Sequence, residues 1–221
     1  MPRTRDQEIM NSKAFISEVI GTFALTFIGA GTAAVSDNVV ATALACGLVV
    51  LTFAFAYGHH SGAHINPAVT FGLWVAGEIE FGKTIVYWIA QGLGGVIGGA
   101  LLFFVLGGAE SGLGATVLAD NVLPTQGLVL EAVLTFLFVN TIMNTAVSRK
   151  VGNLAPIAIG LTFAFCVLMG GPLTGASLNP ARTLGPAIFS GTMDLFWLYV
   201  VGTFIGAAIA GLLYRGFLKD D

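Results

Sequence analysis

Ser177-Leu178-Asn179-Pro180-Ala181-Arg182-Thr183-Leu184-Gly185-Pro186 has a shorter echo earlier in the chain, Ile65-Asn66-Pro67-Ala68-Val69-Thr70-Phe71-Gly72. Each copy sets an asparagine, a favoured N-cap, directly before a proline at the first helical position, where the missing N–H is no loss. Both stretches therefore read as helix starts. From Pro67 to about Ala76 there are 10 residues, which make roughly 15 Å of helix, half of the ~30 Å hydrocarbon core of a bilayer. That is a half-helix, too short to cross.

Composition identifies the surrounding solvent. Of 221 residues, 56% are hydrophobic and only 10% charged, against about 25% charge in a soluble domain. The chain is an integral membrane protein. Its 30 glycines fall in long apolar runs, where pairs such as Gly94 with Gly98 and Gly95 with Gly99 suit close helix–helix approach. Cys46 and Cys166, the 2 cysteines, sit inside apolar runs and indicate no disulfide framework. A net charge of −3, dispersed and without a basic stripe, excludes a nucleic-acid partner.

The polar N-terminal residues do not resemble a cleavable signal, because the apolar run that follows is too long. Apolar segments at about 14–35, 39–58, 83–106, 125–147, 154–170 and 195–217 are long enough to span. The fold expected is all-α, with six transmembrane helices and two re-entrant half-helices. If both termini are cytoplasmic, Arg3, Arg5, Lys13, Lys83, Arg149, Lys150, Arg215 and Lys219 all lie inside, while the connections around Asp37 and around Glu110 and Asp120 carry no Lys or Arg. Arg182 alone breaks the pattern, in an apolar stretch on the outer side. A charge there is costly unless it faces water or a partner, which makes it a functional candidate.

The twin motif prompts a search for a repeat. One gapless offset of 113 residues carries Asn66, Pro67 and Ala68 onto Asn179, Pro180 and Ala181, and also Glu18 onto Glu131, Thr22 onto Thr135, Gly47 onto Gly160 and Gly98 onto Gly211. The chain is a duplication, with repeats at about 14–106 and 125–217 forming one channel domain over residues 1–221. Each repeat holds an odd number of spans, so the second enters from the opposite side and the halves are inverted in topology. Both half-helices then point their positive N-termini at the midplane. Their non-helical approaches, expected at Gly58–His64 and Gly170–Ser177, cannot face lipid and must line water or lie buried in protein. Asn66 and Asn179 would add amide donors at the centre. The arrangement is a narrow, uncharged, hydrogen-bonding pore that repels cations and protons and passes neutral molecules.

The doubled Asn-Pro-Ala, the run Ser61-Gly62-Ala63-His64-Ile65-Asn66-Pro67-Ala68-Val69-Thr70 and Asn-Pro-Ala-Arg at Asn179–Arg182 resemble the aquaporin (major intrinsic protein) family from about Ala14 to Tyr214. The resemblance implies six spans, two re-entrant half-helices, a pore in each protomer, a homotetramer in the lipid bilayer, no cofactor, and water with other small neutral solutes as cargo. It also implies an aromatic/arginine constriction near the outer mouth, whose positions fall on Cys46, Val167, Ala176 and Arg182. Only the arginine is kept. Small residues at Cys46 and Val167 point to a broader, more apolar mouth, which admits glycerol, urea, ammonia or peroxide beside water. Thr183 and Ala187, by contrast, match water channels. Cys46 is expected to be reachable by a thiol reagent from outside, and a plasma-membrane location with cytoplasmic termini is the corresponding expectation.

Glu18 and Glu131 are read as acceptors for backbone donors of their re-entrant loops, a proton relay being the alternative. His64 is read as a loop brace with its carbonyl toward the pore, and His59 or His60 as a group that could sense pH at the inner mouth. No histidine has companions at metal-ligand spacing, so no metal site is expected. A nucleophile paired with a base, and a phosphate cradle, are both missing, so the chain does not read as an enzyme. Two rivals stand beside the channel: a proton-coupled secondary transporter, since inverted repeats also build carriers, and a closed structural membrane protein.

Overall fold

The computed structural model describes the backbone of residues 5–219 and the side chains of residues 12–219. Arg3 and the side chain of Arg5, two of the expected inner-side charges, lie outside the described residues. Among the described residues, six helices are long and apolar enough to cross a membrane: Ser12–Val35, Val39–Ser61, Phe81–Val105, Pro124–Val147, Gly152–Thr174 and Phe196–Leu218. The two half-helices are Pro67–Ala76 and Pro180–Ser190. No strand occurs among the described residues. An even number of spans brings both ends to one face, called here the terminal face. On it Lys219 Nζ reaches Glu78 Oε1 at 2.7 Å, tying the end of the sixth span to the turn after the first half-helix.

Two span ends differ from expectation. The second span runs on to Ser61 and the fifth to Thr174, so the non-helical approaches shrink to residues 62–65 and 175–178. Glycine sets both stops. Gly62 and Gly175 take left-handed conformations, φ 86° and 77°, and their N–H groups close the last turns on Gly58 O and Gly171 O. Pro172 lies within the last turn of the fifth span without ending it.

Glycine also sets how closely the helices approach. A side chain added at Gly95 or Gly99 would strike the backbone of Ala181 or Gly185, so one stripe of the third span seats the second half-helix. Gly94 and Gly98, on the neighbouring stripe, face Val19, Thr22 and Thr26 of the first span. Gly72 of the first half-helix meets Ala207 of the sixth span in the same manner. The expected packing role of the glycine pairs is thus their observed one.

At the centre, the second and fifth spans cross on Gly47 and Gly160. A Cβ at Gly47 would lie 2.7 Å from Gly160 O, and one at Gly160 would lie 2.6 Å from Gly47 O. Each residue meets its own repeat counterpart. Overpacking a seam of this kind costs about 1–3 kcal/mol. Gly47→Val is expected to lower the thermal unfolding temperature in detergent, whereas valine at the unhindered Gly82 should leave it within error; equal behaviour would refute the seam.

Candidate functional site

Four residues on each side, 62–65 and 175–178, lead into the two half-helices. Their backbone is unusual. Ala63, Ile65, Ala176 and Leu178 all have φ between 44° and 51°, a region that costs an L-residue about 1–2 kcal/mol. Something must hold them there.

The holding groups are the two buried glutamates, both 0% exposed. Glu18 Oε1 accepts from Ser61 Oγ at 2.7 Å and His64 N at 2.9 Å, and Oε2 accepts from Ile65 N at 2.6 Å. Glu131 Oε1 accepts from Thr174 Oγ1 at 2.7 Å and Ser177 N at 2.9 Å, and Oε2 from Leu178 N at 2.9 Å. Every partner is shifted by the repeat offset. Hydrogen bonds to a charged group contribute about 1.5–3 kcal/mol each, so a set of three exceeds the cost of two left-handed residues. The geometry is that of loop clamps.

At the tips of the loops the two asparagines do two jobs each. Asn66 Oδ1 caps its half-helix by accepting from Ala68 N at 2.8 Å, and Asn179 Oδ1 accepts from Ala181 N at 3.0 Å and Arg182 N at 3.2 Å. The amide nitrogens reach across the midplane instead: Asn66 Nδ2 donates to Leu178 O at 2.7 Å, and Asn179 Nδ2 to Ile65 O at 2.8 Å. Each loop therefore holds the other. One amide hydrogen on each asparagine is consumed in this way, and one remains. Pro67 O is also occupied, accepting from Trp88 Nε1 at 3.1 Å. Pro180 is buried with Ala68 and Ala181, which stand 0% and 3% exposed.

His64 braces its loop through Nδ1, 3.0 Å from Thr70 Oγ1, and packs edge-on to Tyr87 with ring centroids 5.0 Å apart. At the equivalent place in the second half, Ser177 Oγ lies 2.6 Å from Thr183 Oγ1. Four contacts escaped the sequence reading. Gln91 Nε2 donates to Glu18 Oε2 at 2.7 Å and to Thr70 Oγ1 at 2.9 Å. Thr116 Oγ1, in the connection between the third and fourth spans, lies 3.0 Å from Thr183 Oγ1. Gly114 O accepts from Arg182 Nη1 at 2.8 Å. Thr70 and Thr183 were traceable in principle, since they obey the 113 offset.

Arg182 is 3% exposed and, among the described residues, pairs with no carboxylate; the carbonyl of Gly114 is its partner. Gly114 sits at φ 61°, and a Cβ there would strike Ala30 O, so its place in the turn is reserved for glycine. Cys46, Val167 and Ala176 are each 2% exposed, and Cys46 lies within electrostatic reach of Arg182. The expectation of an open thiol is corrected: Cys46 Sγ packs over Gly29, 2.7 Å from where a Cβ would stand. A π-helical turn at Leu25–Ala30 and the bare Gly29 leave the notch that takes the sulfur.

Wide space lies on the other side. A cavity of about 620 Å³ opens at the terminal face among His59, Arg149 and Asn153, and ends on His64, Asn66 and Asn179. None of Cys46, Val167, Ala176 or Arg182 lines it. The breadth of this cavity therefore lies on the terminal side of the asparagines, apart from the positions at which a broad mouth is expected.

The sequence profile described as "Major intrinsic protein" matches residues 5–214. The chain is 42% identical over 217 residues to "Aquaporin TIP1-2" of Zea mays, covering 92% of this chain and 85% of that protein. It is 39% identical over 230 residues to "Aquaporin TIP2-3" of Arabidopsis thaliana, covering 93% and 87%. Among solved structures it matches the X-ray structure of the aquaglyceroporin from Plasmodium falciparum with a TM-score of 0.85 and 26% identity, covering 95% of this chain and 97% of that one.

The clamp makes a sharp prediction. Glu131→Gln keeps the shape but turns an NH₂ group toward backbone donors, and is expected to cost about 1.5–3 kcal/mol. Thermal unfolding in detergent should shift down and osmotic water flux should fall with it; an unchanged unfolding temperature and flux would refute the clamp.

Proposed function

The chain belongs to the major intrinsic protein family and is a passive channel for water and small neutral solutes, and from that premise we propose how its residues conduct. The path runs from the terminal-face cavity past His64, between Asn66 and Asn179 at the midplane, and out beside Ala176, Val167, Cys46 and Arg182. Pro67, Ala68, Pro180 and Ala181 form the collar that holds the asparagines. The reciprocal reach of Asn66 to Leu178 O and Asn179 to Ile65 O is the observation that carries this reading.

The physics follows from the donors. Each asparagine keeps one free amide hydrogen, and both half-helices aim partial positive charge at the same point. A water molecule there accepts two hydrogen bonds and turns its own hydrogens outward, so no continuous donor chain crosses the centre. Cations meet that positive potential, because the carboxylates of Glu18 and Glu131 are already saturated by loop donors. On the outer side the buried guanidinium of Arg182 adds a second barrier of the same sign.

Water is the primary cargo in this reading. The second reading, a broader neutral-solute facilitator, is favoured by the small side chains at Cys46, Val167 and Ala176. In the expected arrangement the chain is a homotetramer in a membrane with both termini cytoplasmic, each protomer carrying its own path. Native mass spectrometry of the detergent-solubilised protein and fractionation of tagged protein test the assembly and the location.

Stopped-flow light scattering on proteoliposomes separates the cargoes. Faster shrinkage in sucrose than in empty liposomes, without faster re-swelling in glycerol or urea, is the expected water-channel result. Fast re-swelling moves the assignment to the facilitator, and no acceleration at all rejects the open channel. Cys46→Phe should narrow the outer passage and suppress any glycerol flux more than water flux; equal suppression would reject the constriction assignment.

A further inference from the structure

The terminal-face cavity is larger than a single file of water needs. Its volume of about 620 Å³ falls in the range of about 300–1,000 Å³ that holds small organic ligands, and equals roughly twenty waters at ~30 Å³ each. Its walls are apolar over most of their area, with Val50, Phe138, Ile142, Ile159 and Phe163 along the sides. Phe138 and Phe163 meet edge to face at 4.9 Å and give the wall a rigid aromatic corner.

Charge is distributed in one sign. Among the described residues, Arg149 is the single Lys or Arg of the lining, and none of the lining is Asp or Glu. Arg149 is exposed at the rim, held at φ 58° in the short turn after the fourth span, and its guanidinium pairs with no carboxylate among the described residues. At the floor stand the N-termini of two helices of 10 and 11 residues, which add positive potential. An apolar cup with a cationic rim and a positive floor is complementary to one kind of small molecule.

We propose that this cavity binds a small, water-soluble amphipathic monoanion, with its acid group on Arg149 and its apolar body against Phe138, Ile159 and Phe163, and that the bound molecule closes the path from the terminal face. The proposal rests on the channel reading for its consequence, but not for the binding itself. The rim belongs to Arg149 of the connection after the fourth span, to Gly152 and Asn153 at the start of the fifth, and to His59 near the end of the second, so it opens toward water rather than lipid. The acid group is required for affinity and the apolar body for blockage.

The test uses naphthalene-2-sulfonate at equal concentration on both sides of phosphatidylcholine proteoliposomes, so that it adds no osmotic gradient and reaches either protein orientation. Water flux of the parent is expected to fall by at least about half at saturation. Arg149→Gln should raise the half-inhibitory concentration at least about tenfold, each variant being normalised to its own uninhibited flux. Lys219→Gln, a basic residue on the same face outside the cavity, should not. Neutral naphthalene-2-sulfonamide should be weaker than the sulfonate by a similar factor. An unaffected parent, or an Arg149→Gln protein as sensitive as the parent, overturns the proposal. Replacing a fifth of the lipid by phosphatidylglycerol should leave inhibition unchanged; its loss would reassign the site to a lipid headgroup and overturn the soluble ligand. If the parent conducts no water, the channel reading falls and calorimetric titration in detergent decides the site alone. One saturable site weakened by Arg149→Gln supports it, and no site, or an unweakened one, rejects it.

Discussion

A carboxylate that accepts from consecutive backbone N–H groups is the interaction on which this structure depends. Glu18 and Glu131 each hold a loop that turns twice into the left-handed region at non-glycine residues. Without that hold the loops would relax, the half-helices would lose their alignment, and the asparagines would no longer reach across the midplane. The same constraint explains why the charges lie inside a membrane span at all. Burying a carboxylate is costly, and here its oxygens are saturated by donors that would otherwise be stranded in a dry interior.

The two halves share this scheme but not its surroundings. In the first, Gln91 completes the Glu18 shell and the histidine ring of His64 fills the corner beside Tyr87. In the second, Phe204 stands where the repeat would place a counterpart of Gln91, Ser177 replaces the ring, and Thr116 of an outer connection joins the hydroxyl cluster. One half therefore keeps open volume next to its loop, while the other sets the buried guanidinium of Arg182 beside its own. A two-fold backbone carries a directional lining.

Much of the fold was readable from residues because it is periodic or repeated. Span length reports bilayer thickness, Asn-Pro reports a helix start, and the constant offset reports the duplication, each from local sequence. What was not readable is what the repeat does not copy. Gln91 looks like one polar residue in a glycine-rich span, and only the fold brings it to Glu18. Gly114 and Thr116 lie in a connection without periodicity, so nothing in the chain marks them as partners of the second half-helix. The span ends were misjudged because Gly58 and Gly170 resemble stops as much as Gly62 and Gly175 do. The φ values decide between them, and φ is set by the clamp. Cys46 was misjudged because its position says where the residue stands, whereas the notch at Gly29 decides where its sulfur turns.

Gly47 and Gly160 touch each other and are each other's repeat counterpart. A residue that meets its own image must lie on the axis relating the two halves, so this contact marks that axis in the folded chain. Were the halves separate polypeptides, they would assemble as an antiparallel two-fold pair, and one change at this position would enter the contact twice. Fusion into a single chain removes that doubling. Each half became free to accept substitutions its partner does not share, which is the condition under which a lining could become different at its two ends.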